Sequence, residues 1–171
     1  MHFDNTRVKI DLDAIARNFD AVREKAGVPV MAVVKADAYG HSAKDLCPVL
    51  DKNGADWFAV SNINEAITLR EIGITKPILI LGYTPVDMVR ELVSNDISQC
   101  VYSLEYAEKL SALAVFYGIN VKAHIKLDTG MGRLGFQINE ESVDTIERIS
   151  KMPNVVMEGM YTHFAKADEI D

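Results

Sequence analysis

Three short segments of the sequence concentrate the residues able to do chemistry. The first is Lys35-Ala36-Asp37-Ala38-Tyr39-Gly40-His41, directly after the apolar run 28–34. Desolvating a lysine at the end of a buried strand lowers its pKa, and the resulting neutral amine is a nucleophile that condenses with carbonyl compounds. A lysine that simply reaches solvent is the plainer reading of the same pattern. Tyr39 carries two readings as well, a phenol serving a phosphate or substrate and a ring packed on a loop. The second segment runs from His124 through Lys126, Asp128 and Arg133 to Gly135. The two-residue period of a strand puts His124, Lys126 and Asp128 on one face and Ile125 and Leu127 on the other. Three polar groups together on a buried strand need partners or a polar lumen. The glycines that follow let backbone approach a ligand, and Arg133 adds a fixed cation whose planar fork suits an oxyanion. The third segment, Gly159-Met160-Tyr161-Thr162-His163-Phe164, contains a histidine that fits either a packing role or a site.

An alternation of short apolar strands and amphipathic helices must position these segments. Strands are expected over 28–34, 57–60, 78–81, 99–102, 121–128 and 155–164. Asp11 opens a helix with Ile15, Phe19 and Val22 at helical spacing, and Gly27 suits the left-handed position after it. Asn62-Ile63-Asn64-Glu65 reads as a capping box for a helix ending at Gly73. Thr84-Pro85 reads as an N-cap and first-turn proline. Helices are also expected over 103–117, closed by Gly118, and over 139–151, while Pro48 predicts a late start or a bend in a helix over 43–52. This alternation implies parallel βαβ units with right-handed crossovers, either a doubly wound sheet or a (β/α)8 barrel. The chain holds about six of the eight units that a TIM-type barrel needs, so the expected fold is an incomplete (β/α)8 barrel. Lys35, Arg133 and His163 all fall at carboxyl ends of strands, the edge where parallel α/β folds bind ligands.

Composition narrows the function classes. Over 171 residues, 18 Lys+Arg stand against 25 Asp+Glu, for a net charge of −7, and 49% of residues are hydrophobic. That acidic balance argues against a nucleic-acid face. No window approaches the ~18 apolar residues of a membrane span, and the first residues lack a signal-peptide layout. Cys47 and Cys100, far apart and without a Cys-x-x-Cys spacing, read as reduced thiols. A cytoplasmic location is expected, with no metal, nucleic-acid or membrane partner. Two apparent motifs fall away. Asp128-Thr129-Gly130 matches the aspartic-protease triplet, but that chemistry needs a second Asp on an all-β frame. Gly130-Met131-Gly132-Arg133-Leu134-Gly135 matches G-x-G-x-x-G, but the dinucleotide fingerprint opens its helix inside the motif, and here the helix signal waits until Asn139.

Ala32-Val33-Val34-Lys35-Ala36-Asp37-Ala38-Tyr39-Gly40-His41 resembles the pyridoxal-phosphate attachment motif of bacterial alanine racemases. The stretches 126–135 and 161–169 resemble two further signatures of that family, in the same order along the chain. The resemblance implies a (β/α)8 barrel followed by a mostly-β carboxyl-terminal domain, assembled as a homodimer. Residues 1–11, with a strand over 8–11, would belong with that second domain, and residues 12–171 would form the cofactor-binding barrel portion. It implies pyridoxal 5'-phosphate as cofactor and alanine as substrate, racemised to supply cell-wall precursors. Lys35 would hold the cofactor covalently and act as the base on one substrate face. Tyr39 would bond near the cofactor phosphate, and Arg133 would contact the cofactor's phenolate oxygen and lie near the substrate carboxylate. His163 would pack against the pyridine ring or orient the groups around it. Lys126 matches a lysine often carbamylated in the family.

The opposite-face base of such enzymes, a tyrosine from the partner subunit, comes later in the chain than residue 171. So do the arginine facing the pyridine nitrogen and most phosphate-binding backbone. The chain therefore reads as an amino-terminal portion with negligible turnover by itself, and its open sheet edges favour association with another chain. A serine-preferring racemase of the same fold, a non-catalytic pyridoxal-phosphate-binding barrel and a structural fragment without cofactor are the competing readings. The stretch 128–133 in this form argues against the non-catalytic barrel.

Overall fold

A computed structural model describes residues 7–169. Seven strands form one parallel sheet: β1 (Met31–Val33), β2 (Trp57–Val60), β3 (Ile78–Ile80), β4 (Ile97–Val101), β5 (Val121–Asp128), β6 (Phe136–Gln137) and β7 (Val155–Thr162). β1 to β5 pair in chain order, and β5 then pairs β7 along its length and β6 at its carboxyl end. A doubly wound sheet reverses strand order at a switch point. This sheet never does, so it is the wall of an incomplete α/β barrel. Helices α1 (Leu12–Ala26), α2 (Lys35–Gly40), α3 (Ala43–Lys52), α4 (Ile63–Glu71), α5 (Val89–Ser94), α6 (Leu104–Tyr117) and α7 (Glu140–Ser150) complete the chain. None is long and apolar enough to cross a membrane.

Period-two alternation divides the wall into two faces. Phe58, Val60, Ile78, Ile80, Ile97, Val101 and Ile125 share one apolar cluster with Leu46, Leu69, Leu92, Leu110 and Ile149 of the helices. Ala59, Leu79 and Cys100 are equally buried yet stand outside that cluster. With Ser98, His124 and Lys126 they occupy the alternate positions, toward the lumen. The polar lumen residues find partners low in the barrel. The Ser98 hydroxyl donates to the Glu158 carboxylate, which also lies 3.5 Å from His124 Nε2 and 3.8 Å from Lys122 Nζ. Trp57 meets the His124 ring edge-on at 5.2 Å. Burial lowers the His124 pKa against the opposing pull of Glu158.

Most local signals act as the sequence predicts. The Asp11 carboxylate accepts the Ala14 N–H at 2.9 Å, and Gly27 closes α1 at φ 64°. Ser103 and Asn139 cap α6 and α7 through their side chains, and Gly118 ends α6 in the left-handed region. Four details differ. The first strand is only three residues long, because Pro29 has no N–H and the Val30 N–H goes to the Asp56 carboxylate at 2.7 Å. α3 begins at Ala43 and runs through Pro48 without a late start. Thr84 caps nothing: it is buried, its hydroxyl has no partner among the described residues, and Pro85 stands before a 3-10 turn at Val86–Met88. β6 was not expected, since two residues carry no periodicity. Residues 7–11 pair with no strand among the described residues, and residues 1–6 of the segment expected to join a second domain lie outside them.

The turn after β5 is the most constrained part of the wall. The Asp128 carboxylate accepts the N–H groups of Gly130 and Gly132, each at 3.0 Å, and these bonds hold its pKa below the usual carboxylate range. Gly135 sits at φ 123°, where a Cβ would lie 2.8 Å from backbone atoms of Lys126, Leu127 and Asp128. Gly132, at φ 68°, has nothing within 4 Å of its Cβ position. Gly135→Ala is expected to cost about 3 kcal/mol and Gly132→Ala about 1 kcal/mol in chemical denaturation. Equal losses would show that the close approach at Gly135 is relaxed in solution.

Candidate active site

A cleft of about 450 Å³ opens at the carboxyl ends of the strands. Lys35, Tyr39, Lys126, Arg133 and His163, the five residues singled out from the sequence, all line it, together with Tyr161. Lys35 follows β1, Arg133 lies on the turn after β5, and His163 directly follows β7. Lys126 and Tyr161 rise from β5 and β7, which pair them in register. The structure thus brings together three segments spread over residues 35–163 of the sequence.

Lys35 owes its position to an unusual backbone. Ala36, Asp37, Ala38 and Tyr39 lie at φ 52–56° and ψ 37–51°, one turn of left-handed helix. Left-handed geometry costs an L-residue roughly 1–2 kcal/mol, on the order of 4–8 kcal/mol over the four. Bonds from the surroundings offset it. The Val34 N–H reaches Ala59 O at 2.8 Å, and the Ala38 N–H returns to Val34 O at 2.9 Å. Asp37 Oδ1 accepts the Ala43 N–H at 2.7 Å. Glu65 Oε1 accepts the Ala36 N–H at 2.9 Å, while its Oε2 accepts the Ser61 N–H at 2.7 Å and hydroxyl at 2.8 Å. Hydrogen bonds to charged groups contribute about 1.5–3 kcal/mol each, enough to balance the strain.

The turn was invisible in the sequence because none of its four residues is a glycine and Gly40 marks only its end. Glu65 was legible only as half of a capping box. Asn62 does accept the Glu65 N–H, at 3.1 Å, but the Glu65 carboxylate turns away from Asn62 toward Ser61 and the residue after Lys35.

Below the rim, the cleft floor is crowded with buried polar groups. Lys126 is 5% exposed, donates to Leu127 O at 2.9 Å and holds its Nζ 5.2 Å from the centre of the Tyr161 ring. Burial lowers its pKa; Cys100 and Asp128 oppose that shift, and the Arg133 charge reinforces it. The Tyr161 hydroxyl donates to Leu81 O at 3.2 Å, and burial pushes its pKa up. Burial also pushes the Cys100 thiol to about 11. Phenol and thiol therefore stay protonated near neutral pH. Nearer the rim, Lys35 Nζ lies 6.0 Å from the centre of the Tyr39 ring, and Arg133 and His163 are exposed. Thr129 and Thr162 pair their hydroxyls at 2.7 Å and tie the β5 turn to β7. An amine, a guanidinium, an imidazole and a phenol facing one cleft form a donor set suited to an anionic ligand bearing a carbonyl group.

Comparison with known proteins gives this geometry its relatives. A family model described as "Alanine racemase, N-terminal domain" matches residues 10–171. An alanine racemase of Clostridium perfringens is 48% identical over 164 residues, 95% of this chain and 42% of that protein. The structure of alanine racemase from Bacillus anthracis with bound L-Ala-P superposes with a TM-score of 0.89 at 35% identity, over the whole chain and 45% of that structure. A histidine racemase from Leuconostoc mesenteroides superposes with a TM-score of 0.85 at 28% identity, over 92% of this chain and 42% of its own. The chain spans less than half the length of these relatives. The family model covers residues 10–171 and the relative covers 95% of the chain, so the chain belongs to the family of alanine racemase N-terminal domains.

Proposed function

We propose that this chain carries the cofactor-lysine part of a pyridoxal 5'-phosphate-dependent racemase that interconverts L- and D-alanine. The observation that carries the reading is the convergence of Lys35, Arg133 and His163 in one cleft at the strand ends. The donor set fits the cofactor: an amine for its aldehyde, a guanidinium for its phenolate oxygen and a phenol toward its phosphate. When bound, pyridoxal phosphate supplies the electron sink that makes the α-proton of an amino acid removable. Lys35 Nζ is then the group that takes or returns that proton on one face. Arg133 holds the substrate carboxylate by its fork, and Tyr39 binds near the phosphate. His163, directly after β7, would pack against the pyridine ring or orient the groups around it.

Racemisation needs a second base on the opposite face, and each base contributes about 10²–10⁴ in rate. Tyr161 is unsuited, because burial raises its pKa and its hydroxyl is engaged by Leu81 O. The reading assigns that role to the partner subunit of a homodimer. Alanine is favoured because the relatives that share 48% identity are named for it, while the histidine racemase shares 28%. Cytoplasmic D-alanine for cell-wall precursors is the role this activity would serve.

Lys126 is proposed as a carbamylation site. Its lowered pKa favours the neutral amine that adds to CO₂ with loss of one proton. The product is an anion, turning the repulsion between Lys126 and Arg133 into attraction.

Three outcomes are expected. Borohydride treatment of the chain with pyridoxal phosphate traps an adduct at Lys35, and Lys35→Ala abolishes it; labelling confined to scattered surface lysines overturns the cofactor reading. Carbon-13 NMR in labelled bicarbonate shows a carbamate resonance that Lys126→Arg removes, and a spectrum unchanged by that substitution refutes the modification. The 171-residue chain alone racemises alanine at least about a thousandfold more slowly than a full-length relative. Comparable turnover in a steady-state assay would show that both bases lie within it.

A further inference from the structure

We propose that Glu65 is a positioning residue for Lys35, its carboxylate clamping the left-handed turn that aims the amine into the cleft. The proposal rests on the cofactor reading of Lys35. Two bonds bracket the lysine. On one side the Val34 N–H donates to Ala59 O of β2 at 2.8 Å, and on the other the Ala36 N–H donates to Glu65 Oε1 at 2.9 Å. Both acceptors belong to the next βα unit, β2 and the first turn of α4. The peptide between Lys35 and Ala36 is therefore fixed in direction by the neighbouring unit rather than by its own strand.

The bond falls where it has most leverage. The Ala36 N–H is the first amide of the left-handed run, and Ala36 itself sits at φ 52°. An alanine freed from that bond relaxes toward negative φ, the ordinary region for an L-residue. That rotation moves the backbone next to Lys35 and with it the Cα–Cβ direction that aims Nζ. The other carboxylate oxygen accepts both the N–H and the hydroxyl of Ser61, which itself lines the cleft. Three donors thus converge on two oxygens, an arrangement that asks for a carboxylate and not an amide. Glutamine at this position would turn an NH₂ group against either Ala36 or Ser61, leaving donor facing donor. The cap of α4 is independent of all this, because Asn62 accepts the backbone N–H of Glu65, which every substitution retains.

The test follows covalent attachment of pyridoxal phosphate to Lys35, where the neutral amine adds to the aldehyde and water leaves. Attachment is trapped by borohydride at timed intervals and mapped by peptide mass, alongside hydrogen exchange of the Ala36 amide. Glu65→Leu is expected to slow attachment at Lys35 about tenfold or more and to speed Ala36 exchange, with labelling of surface lysines unchanged. Glu65→Gln keeps the shape but turns a donor against a donor, and is expected to slow attachment severalfold and to speed exchange at Ala36 more than elsewhere in the sheet, a local effect that a merely structural residue would not produce. Ser61→Ala, which removes one of the three donors, is expected to have the smallest effect. Wild-type attachment rates in both Glu65 variants would overturn the proposal while leaving the cofactor reading intact. No attachment at Lys35 in the unsubstituted chain would overturn the cofactor reading, and Ala36 exchange unchanged by either variant would overturn the clamp. If Glu65→Leu fails to fold, Glu65→Gln and its Ala36 exchange decide.

Discussion

The site depends on one backbone constraint: a turn of left-handed helix built from four L-residues immediately after a three-residue strand. Such a turn has no intrinsic stability in an L-polypeptide. It persists because β2 and α4 accept the N–H groups that flank Lys35, and because Asp37 accepts the N–H that opens α3. The strain is local and its support comes from the adjacent unit, so the direction of one amine is coupled to how two βα units pack. Ala36 and Ala38 at least avoid the β-branching that would make left-handed geometry costlier still, and Ala38 is buried inside the turn.

A second constraint acts lower in the barrel. The face of the wall toward the helices is mostly aliphatic, with Phe58 and the buried Gln99 among its members, while the lumen face mixes apolar residues with Ser98, His124 and Lys126. Ser98 donates to Glu158 and Lys126 to a backbone carbonyl beside an aromatic face, whereas His124 Nε2 lies 3.5 Å from the Glu158 carboxylate without a hydrogen bond among the described residues. Gly159 makes the lower arrangement possible, because a Cβ there would stand 3.3 Å from the His124 ring. The lumen is therefore a graded interior. An acid balances the base of the barrel, and the unbalanced cations collect toward the rim.

How much of this was legible in the sequence differs by feature. The strands announced themselves through β-branched runs, and the caps at Asp11, Ser103 and Asn139 through side-chain chemistry that acts within one turn. That Lys35, Arg133 and His163 meet in one cleft was legible because strand ends are identifiable and barrel strands deliver their ends to one place. What escaped was whatever depends on contacts between distant segments. Glu65 satisfies the local rule of a capping box, yet its carboxylate is claimed by Ala36, 29 residues earlier in the chain. Val30 loses its place in the ladder to Asp56, and Thr84 loses its capping role to a turn that starts one residue later. At Glu65 and Val30 a longer-range donor or acceptor outcompeted the local signal, whereas at Thr84 the local turn itself begins one residue later.

The distribution of exposure divides the chemistry along the depth of the cleft. Lys126, Tyr161 and Cys100 lie in low dielectric, where burial fixes the protonation of the phenol and thiol and destabilises the ammonium. Arg133 and His163 face outward, where water screens charge and weakens any hold on an anionic ligand. The proton transfer proposed for Lys35 would gain from desolvating those outer groups too. The floor can be built by two neighbouring strands, but the cover cannot come from β5 or β7, which already contribute their ends to the rim. The open side of the cleft is accordingly where the proposed partner subunit would bring both the second base and the exclusion of water, so that one docking event would complete the catalytic pair and strengthen the electrostatics of the first.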